Sequence, residues 1–351
     1  MCTAVRFSNE EGSVFLGRNL DWSCGYGENV RIMPKGFMIP WAFDESTPAK
    51  HAVIGMCVEF QNYPLFFDCG SDAGLAVAGL NHPGCAEYAP NPIEGKTNIA
   101  AYEFPTWVAA NFETVDEVEA ALANSLIIEK PFNEHFPVSY LHWIIGDATR
   151  SIVVESRADG LHVFDNPVDV LANHPNFEWH LTNLRTYITA TPDMPAPATW
   201  GRAELAPFGA GAGMRGIPGD VYSPSRFVKV AYLNANYPTK SGESDNVVRM
   251  FHTLSNVSMP EGASAMSNGE FEKTVYTSCF SGATGRYYFN TYDDFAIRYA
   301  SLEDATRADN NTLIECKLKR FEQTRTPDGR VRNQHGNRTH ESHRNLVECK
   351  G

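Results

Sequence analysis

The second residue of the chain, Cys2, is the first candidate for chemistry. The chain begins MCTAVRF, and an initiator methionine is usually removed when the next side chain is small. The mature chain would then start with a residue that carries both a thiol and a free α-amine. Because a cysteine thiol has an ordinary pKa of ~8.5 and an α-amine one of ~7.7–8.0, one residue could supply nucleophile and base. The alternative is an ordinary buried thiol.

Two charged residues in the next predicted strand could assist such a cysteine. In VFLGRNLDW (residues 14–22), counting by two from Val14 places Arg18 on one face of the strand. An arginine on a buried face needs a paired charge, and Asp21 is the nearest candidate. Arg18 could then favour the thiolate of Cys2, and Asp21 could hold the α-amine. The alternative is a surface salt bridge at the end of a hairpin.

Three further polar residues stand at the ends of predicted elements. Asn81 ends the strand-like run GLAVAGLN, and Asn173 ends DVLAN. Asparagines there are usually turn residues, and they become interesting only if a site needs neutral donors for an oxyanion. Arg226, in SPSRF near a helix start, would by itself be a routine surface charge.

The order of the elements predicts the fold that positions these residues. An N-terminal β-hairpin and further strands lead to predicted helices at 105–111 and 114–124, the second with a capping box at Thr114. A strand meander follows, then two helices, the first with Ser223 as its N-cap, and then strands again. This order, without regular βαβ alternation, predicts an α+β fold with antiparallel sheets covered by helices. We expect one domain over residues 2–316.

Composition and charge exclude several classes of protein. The net charge is −13, which argues against a nucleic-acid or anionic-membrane partner. No apolar run approaches the ~18 residues needed to span a bilayer, and the N-terminus lacks a signal-peptide pattern, so we expect a cytoplasmic protein. We therefore expect the eight cysteines to be reduced. No CxxC, HExxH or other metal-ligand spacing occurs, so the sequence predicts no metal site.

The last part of the chain differs in character. Residues 317–351 contain nine basic and four acidic residues, three histidines and almost no apolar periodicity. Such a segment is typical of disorder and predicts an atypical tail that the domain does not need for activity or stability.

Taken together, five motifs resemble the choloylglycine hydrolase family of N-terminal nucleophile amidohydrolases, and its bile salt hydrolase branch most closely. They are MCTAVRF, GRNLDWS, GLAVAGLN, DVLANHPNF and SPSRF, spread in order over residues 2 to about 315. The resemblance implies a four-layer αββα sandwich with two antiparallel sheets, a homotetramer and no cofactor. It makes Cys2 the nucleophile, with partners Arg18, Asp21, Asn81, Asn173 and Arg226. It also implies that the Asn173 side chain and the Asn81 backbone amide form the oxyanion hole.

The same resemblance implies a substrate class. Glycine- or taurine-conjugated bile salts would be cleaved to free bile acid and amino acid, and the acyl group would lie in an apolar slot. The proposed lining residues are Leu20, Trp22, Tyr26, Phe60, Phe66 and Phe132. Penicillin V acylase, with the same catalytic residues, stays an alternative, and so does an inactive protein that binds amphipathic molecules. A papain-like cysteine protease has less support, because no histidine lies in a motif suited to pair with Cys2.

Overall fold

The computed structural model describes residues 1–307, 311–317, 319–321, 323–325 and 331–333. Strands dominate these ranges. The strands of the first half are β1 (Cys2–Ser8), β2 (Val14–Trp22), β3 (Asn29–Met33), β4 (Met38–Ile39), β5 (Thr47–Pro48), β6 (Val53–Phe60), β7 (Tyr63–Ser71), β8 (Ala76–Asn81), β9 (Thr97–Ala100), β10 (Ser125–Ile128), β11 (Leu141–Gly146), β12 (Ser151–Arg157) and β13 (Gly160–Asp165).

The second half adds the strands that complete the sheets. These are β14 (Val170–Leu171), β15 (Ala198–Trp200), β16 (Ala203–Leu205), β17 (Ser264–Ala265), β18 (Phe271–Ser281), β19 (Arg286–Thr291), β20 (Arg298–Ser301), β21 (Ile314–Glu315), β22 (Lys319–Arg320), β23 (Gln323–Arg325) and β24 (Val331–Asn333).

The helices are fewer and fall into two groups along the chain. They are α1 (Phe104–Asn111), α2 (Val115–Leu122), α3 (Phe177–Asn183), α4 (Ser223–Asn236) and α5 (Glu243–Ser255), with 3₁₀ turns at Ala101–Glu103, Leu184–Tyr187, Ala212–Met214 and Leu302–Arg307. Among the described residues, no helix is long and apolar enough to cross a membrane.

Most of the described strands pair into two eight-stranded sheets. The first sheet has the order β14-β1-β2-β18-β19-β20-β22, with β17 on β18. The second has the order β13-β12-β11-β8-β7-β6-β3-β21. Every pairing within them is antiparallel. The predicted α+β class with antiparallel sheets is confirmed.

The two sheets pack face to face between two layers of helices. Strand β8 of the second sheet lies against β1 and β2 of the first. Helices α4 and α5 cover the first sheet, where Val230 and Met250 are fully buried, and α1 covers the second, where Phe104 and Val108 are fully buried. Strands β1 and β2 are therefore buried on both faces, which explains why their sequences lack a polar side. This four-layer arrangement is the one that the resemblance implied.

The helix predictions were confirmed with one correction. Helices α1 and α2 lie where periodicity placed them, and the Thr114 side chain accepts a hydrogen bond from the Glu117 backbone as its N-cap. Ser223 is not the N-cap of α4, because Tyr222 takes that position with extended backbone, and Ser223 and Pro224 lie inside the first turn. Helix α3 was not predicted, since its short sequence shows no clear apolar period.

The sheet extends further toward the C-terminus than the predicted boundary at residue 316. Lys319 and Arg320 pair with β20, and the backbone N–H of Phe321 donates to Ile297, at 2.7 Å. The Phe321 ring packs edge-on against Tyr288, at 5.5 Å between centroids. One apolar side chain is thus enough to dock this stretch, which a search for periodicity could not detect. The prediction of disorder for 334–351 lies outside the described residues.

Candidate active site

Cys2 lies at the start of the buried strand β1, between β14 and β2 of the first sheet. It is only 5% exposed and pairs with Leu20 of β2. Its backbone N–H donates to Asn173 Oδ1, at 2.6 Å. Met1 is still attached and extends the pairing, since Met1 and Asp21 exchange backbone hydrogen bonds of 2.5 and 2.8 Å. The start of the chain is therefore held rigidly beside the thiol.

Arg18 brings a positive charge to the sulfur of Cys2. It is 1% exposed on β2, its Nη2 lies 2.6 Å from Cys2 Sγ, and its Nη1 donates to the Gly79 carbonyl, at 2.6 Å. Burial lowers the pKa of Arg18, but the neighbouring Cys2, Tyr276 and Asp68 raise it, and the net direction is upward. The guanidinium stays charged and is placed to favour a thiolate.

The buried charge of Arg18 is not balanced by Asp21 in the way that the sequence suggested. Residues three apart on a strand point to opposite faces, so Arg18 and Asp21 diverge. Asp68 lies on the side of Arg18 instead, and its carboxylate accepts hydrogen bonds from Tyr276 and Tyr287, at 2.5 and 2.6 Å. Burial raises the pKa of Asp68, whereas Arg18 and these donors lower it.

Asp21 lies beside the N-terminus. Its Oδ1 accepts from Thr274, at 2.6 Å, while its buried Oδ2 has no hydrogen-bond partner among the described residues. Burial raises the pKa of Asp21, and Arg226 and the N-terminal ammonium group lower it. The Met1 ammonium group also lies 2.9 Å from the Glu272 carboxylate. Two acidic groups therefore surround the position of the chain terminus.

Asn173 links three parts of the site through one side chain. Its Oδ1 accepts from the Cys2 N–H and from Arg226 Nη2, the latter at 2.8 Å. Its Nδ2 donates to the carbonyl of Asn81, at 2.6 Å. The side chain is 1% exposed, so these contacts are shielded from water.

The backbone of Asn81 faces the same region. The next residue, His82, donates its N–H to Tyr140, at 2.8 Å, on the β11 side of the chain. Because successive peptide groups of a strand point to opposite sides, the N–H and C=O of Asn81 point away from β11. Its C=O accepts from Asn173 there, so its N–H is directed to the same side.

Arg226 reaches the start of β1 from the first turn of α4. It is fully buried, and its Nη1 donates to the Cys2 carbonyl and to Thr3 Oγ1. Burial lowers the pKa of Arg226, although Asp21 and Cys2 raise it. Thr3 was not singled out from the sequence. The structure thus brings all six proposed catalytic residues, Cys2, Arg18, Asp21, Asn81, Asn173 and Arg226, to one region.

The model of one family of linear amide C–N hydrolases, the choloylglycine hydrolase family, matches residues 2–315. The chain belongs to the choloylglycine hydrolase family. It is 51% identical over 307 residues to a bile salt hydrolase/transferase from Bifidobacterium longum, covering 87% of this chain and 96% of the relative. It is 44% identical over 307 residues to a conjugated bile acid hydrolase from Lactobacillus acidophilus, covering 87% and 97%.

Two solved structures have a fold similar to that of this chain. The R18L variant of conjugated bile acid hydrolase from Clostridium perfringens superposes with a TM-score of 0.82 and 34% identity, over 92% of this chain and 97% of that chain. A penicillin V acylase from Agrobacterium tumefaciens gives a TM-score of 0.68 at 19% identity, over 91% of each chain. The latter likeness concerns the fold alone.

Two of the residues that the sequence predicted to line the slot, Trp22 and Tyr26, lie together near Cys2. Trp22 stacks on Tyr26, at 6.4 Å, and Tyr26 contacts Phe67, at 5.7 Å between ring centroids. The Phe67 carbonyl accepts from Arg18, at 3.4 Å. Burial and then Cys2 raise the pKa of Tyr26, which places this ring within electrostatic reach of the sulfur.

Phe66 lies apart from these rings. It is buried among apolar residues that include Phe104 of α1, on the face of the second sheet that points away from the first sheet. Phe67, the next residue of β7, packs against the core between the sheets, together with Asp68. A register shift in the β6–β7 pairing interrupts the alternation of side chains at this point, so counting along PLFFDCG could not predict it. Leu20 is 7% exposed and belongs to the core between the sheets.

The other two proposed lining residues belong to a separate aromatic group. Phe60 contacts Phe132 edge-on, at 5.9 Å, and Phe136, at 5.7 Å. Phe132 also contacts Tyr63 and Tyr102, at 5.4 and 5.1 Å. Five aromatic rings thus converge where β6 and β7 meet the segment that follows β10.

Six of the described cysteines are free thiols: Cys2, Cys57, Cys69, Cys85, Cys279 and Cys316. Burial raises the pKa of the free thiols that compete with Cys2; they are Cys57, Cys69, Cys85, Cys279 and Cys316, the last to about 12.

One group of metal-ligand type occurs among the described residues, although the sequence shows no ligand spacing. His82, His142 and Glu155 place their ligand atoms within 4.8 Å of one another, and all three are fully buried. The Glu155 carboxylate already accepts hydrogen bonds from Arg157 and from the Phe177 backbone N–H. A cation there would compete with a guanidinium, so these residues do not fit a metal site.

Proposed function

We propose that this protein hydrolyses the amide bond of glycine- or taurine-conjugated bile salts, releasing free bile acid and the amino acid. The observation that supports the proposal most directly is the contact between Arg18 and the sulfur of Cys2, because it places a positive charge beside the proposed nucleophile. The names of the relatives, at 51% and 44% identity, supply the substrate class.

The first step of the proposed mechanism is exposure of the Cys2 α-amine by removal of Met1. The amine nitrogen keeps Asn173 Oδ1 as an acceptor, because the peptide N–H already donates to it. The buried Oδ2 of Asp21 is a second acceptor near the terminus. The free amine then accepts the proton of the thiol, and Arg18 stabilises the thiolate that forms.

In the second step, the thiolate attacks the amide carbonyl and an oxyanion develops. The Asn173 side-chain amide and the Asn81 N–H are directed to the same region, and we assign them as the oxyanion donors. Each donor of this kind typically contributes about 10²–10³ in rate. The amine returns the proton to the leaving nitrogen, and water then hydrolyses the thioester.

The acyl group is proposed to lie against the aromatic side chains. Trp22, Tyr26 and Phe67 form the part next to the thiol, and Phe60 with Phe132 forms the more distant part. A rigid, amphipathic steroid needs a slot of this kind with a few polar anchors. The likeness to penicillin V acylase, at 19% identity, gives no reason to prefer that substrate.

The test is incubation with glycocholate, taurocholate and penicillin V, with amine release measured for each. The proposal expects faster release from both bile salts, and no release by a Cys2→Ala control that retains its fold. Turnover of penicillin V equal to that of glycocholate would contradict the choice of substrate.

We also propose a homotetramer that resides in the cytoplasm. The segment between α3 and α4 exposes apolar side chains that a lone subunit would leave in water, including Ile188, Trp200 and Phe208 at 85, 76 and 111% exposure. Light scattering at about micromolar concentration should show four subunits, and Trp200→Glu should lower the mass. A wild-type monomer under these conditions would contradict the assembly.

A further inference from the structure

A buried polar network lies beneath the loop that carries Asn173. We call it the histidine network, and it consists of His82, His142, Glu155 and His180. All four are fully buried, and the rings of His82 and His142 stack at 3.9 Å between centroids with an interplanar angle of 11°. The proposed mechanism uses none of them, yet burying four such groups costs free energy unless they are paired.

Both ring nitrogens of His142 face acceptors. Nε2 lies 2.7 Å from the Ala172 carbonyl, and Nδ1 lies 3.1 Å from Glu155 Oε1. Burial alone raises the pKa of Glu155, but hydrogen bonds from His142 and Arg157 bring it to about 2. The His142 ring is therefore held between the Glu155 carboxylate on one side and the Ala172 carbonyl on the other.

The other two histidines have lowered pKa values. Burial lowers the pKa of His82 to about 3 and that of His180 to about 4. His82 stacks on the ring of His142 and places Nε2 3.3 Å from Asn176 Oδ1. The Glu155 carboxylate accepts, on its other side, from the Arg157 guanidinium.

The network fixes the loop on both sides of the Asn173 side chain. His142 donates to the Ala172 carbonyl, and His180 Nε2 donates to the Asn173 carbonyl, at 2.9 Å. Glu155 accepts from the Phe177 N–H, at 2.9 Å. Three backbone groups of this loop are therefore held from below, while the Asn173 side chain holds the Cys2 amide and Arg226.

We propose that His142, held in place by Glu155, is a positioning residue that fixes the backbone at Ala172 and so aims the Asn173 side chain at Cys2. The proposal rests on the proposed function, in which Asn173 is an oxyanion donor. A catalytic group displaced by about 1 Å commonly loses about 10²-fold in rate, so the backbone anchor matters as much as the side chain.

The experiment compares His142→Leu, which removes both ring nitrogens, with His142→Gln, which keeps an N–H near the Ala172 carbonyl. His51→Gln is the matched control, because His51 forms its own carboxylate pair with Asp72, at 3.0 Å, and does not contact the loop. Glycocholate kinetics, melting temperature and the rate of Cys2 alkylation by iodoacetamide are measured for each.

We expect His142→Leu to lower kcat by about 10- to 100-fold with KM changed by less than about threefold. His142→Gln should lose less kcat than His142→Leu. The rate of Cys2 alkylation should also fall less in the Gln variant than in the Leu variant, and the His51→Gln control should match wild type in both measurements. Equal kcat for the Leu and Gln variants, or a loss no larger than the folded fraction explains, would overturn the proposal.

Two further measurements cover a His142→Leu variant that does not fold and a wild type that does not hydrolyse glycocholate. If His142→Leu does not fold, Glu155→Gln replaces the carboxylate beside His142 Nδ1 with a neutral amide and keeps an acceptor for Phe177. It should lower kcat by more than about twofold but less than about tenfold; a wild-type kcat would overturn the proposal. If wild type fails to hydrolyse glycocholate, the proposed function fails, and the order of the Cys2 alkylation rates still decides the positioning role.

Discussion

Replacing Asn173 with alanine tests the link between the buried loop and the nucleophile. The change removes three hydrogen bonds, to the Cys2 N–H, to Arg226 and to the Asn81 carbonyl. Two of them join neutral groups and contribute about 1 kcal/mol each, and the one from the guanidinium contributes about 1.5–3 kcal/mol. We therefore expect the free energy of unfolding to fall by roughly 3–5 kcal/mol.

The expected effect on catalysis is separate from the effect on stability. Loss of one oxyanion donor should lower kcat by about 10²–10³-fold, or ~2.7–4 kcal/mol, and KM should change little because the donor acts mainly in the transition state. Asn173→Asp keeps the acceptor for Cys2 and Arg226 but lacks the Nδ2 donor, so it should lose a similar part of kcat. Amine release from glycocholate and urea denaturation measure the two effects.

The control is Asn166→Ala, in the same part of the chain. Asn166 is also buried and donates its side-chain amide to the Val170 carbonyl, at 3.2 Å, without a contact to Cys2. It should lower the free energy of unfolding by about 1 kcal/mol and leave kcat within about twofold. Folded Asn173→Ala protein with kcat within tenfold of wild type would refute the assignment of Asn173 as an oxyanion donor.

Three more outcomes are expected. Phe132→Ala should raise KM for glycocholate by about five- to tenfold, as about 1 kcal/mol of apolar contact is lost equally in ground and transition states; a kcat effect larger than the KM effect would contradict this. Phe321→Ala should lower the free energy of unfolding by about 1–2 kcal/mol, and Phe295→Ala, at 84% exposure, should not; equal effects would show that Phe321 does not pack. Because the folded pKa values of His82 and His180 lie near 3 and 4, below the ordinary 6.5, the unfolded chain binds protons more tightly. Stability measured in urea should therefore fall as pH drops from about 6.5 toward about 4, and a flat profile would contradict the buried neutral histidines.

The sequence predicted which residues lie together better than the contacts between them. Cys2, Arg18 and Asn173 could be grouped because motif and position single them out, and the structure places them in contact. The acidic group on the side of Arg18 could not be predicted, since Asp68, which raises the pKa of Arg18, lies on the second sheet, and proximity between sheets has no local sequence pattern. The sequence therefore suggested Asp21 as the charge that pairs with Arg18. Asp21 is close to Arg18 along the chain, but it lies on the other face of β2.

The same limit applies to the predicted slot residues and to the histidine network. Phe66 and Phe67 are the same residue type, so the sequence does not distinguish them. They differ only in the apolar layer that each side chain contacts. His82, His142 and Glu155 lie on three different elements, so no spacing rule brings them together. Helical periodicity and capping, in contrast, are local, and they predicted α1 and α2 correctly.

In the proposed mechanism, the free α-amine of Cys2 accepts the proton of its own thiol. Protein produced while methionine aminopeptidase is inhibited should retain Met1, whose ammonium group occupies the hydrogen bonds to Asp21 and Glu272. Treatment of that protein with purified aminopeptidase should generate glycocholate hydrolysis in direct proportion to the Met1-free fraction in the intact mass spectrum. Full activity in protein that still carries Met1 would contradict the mechanism.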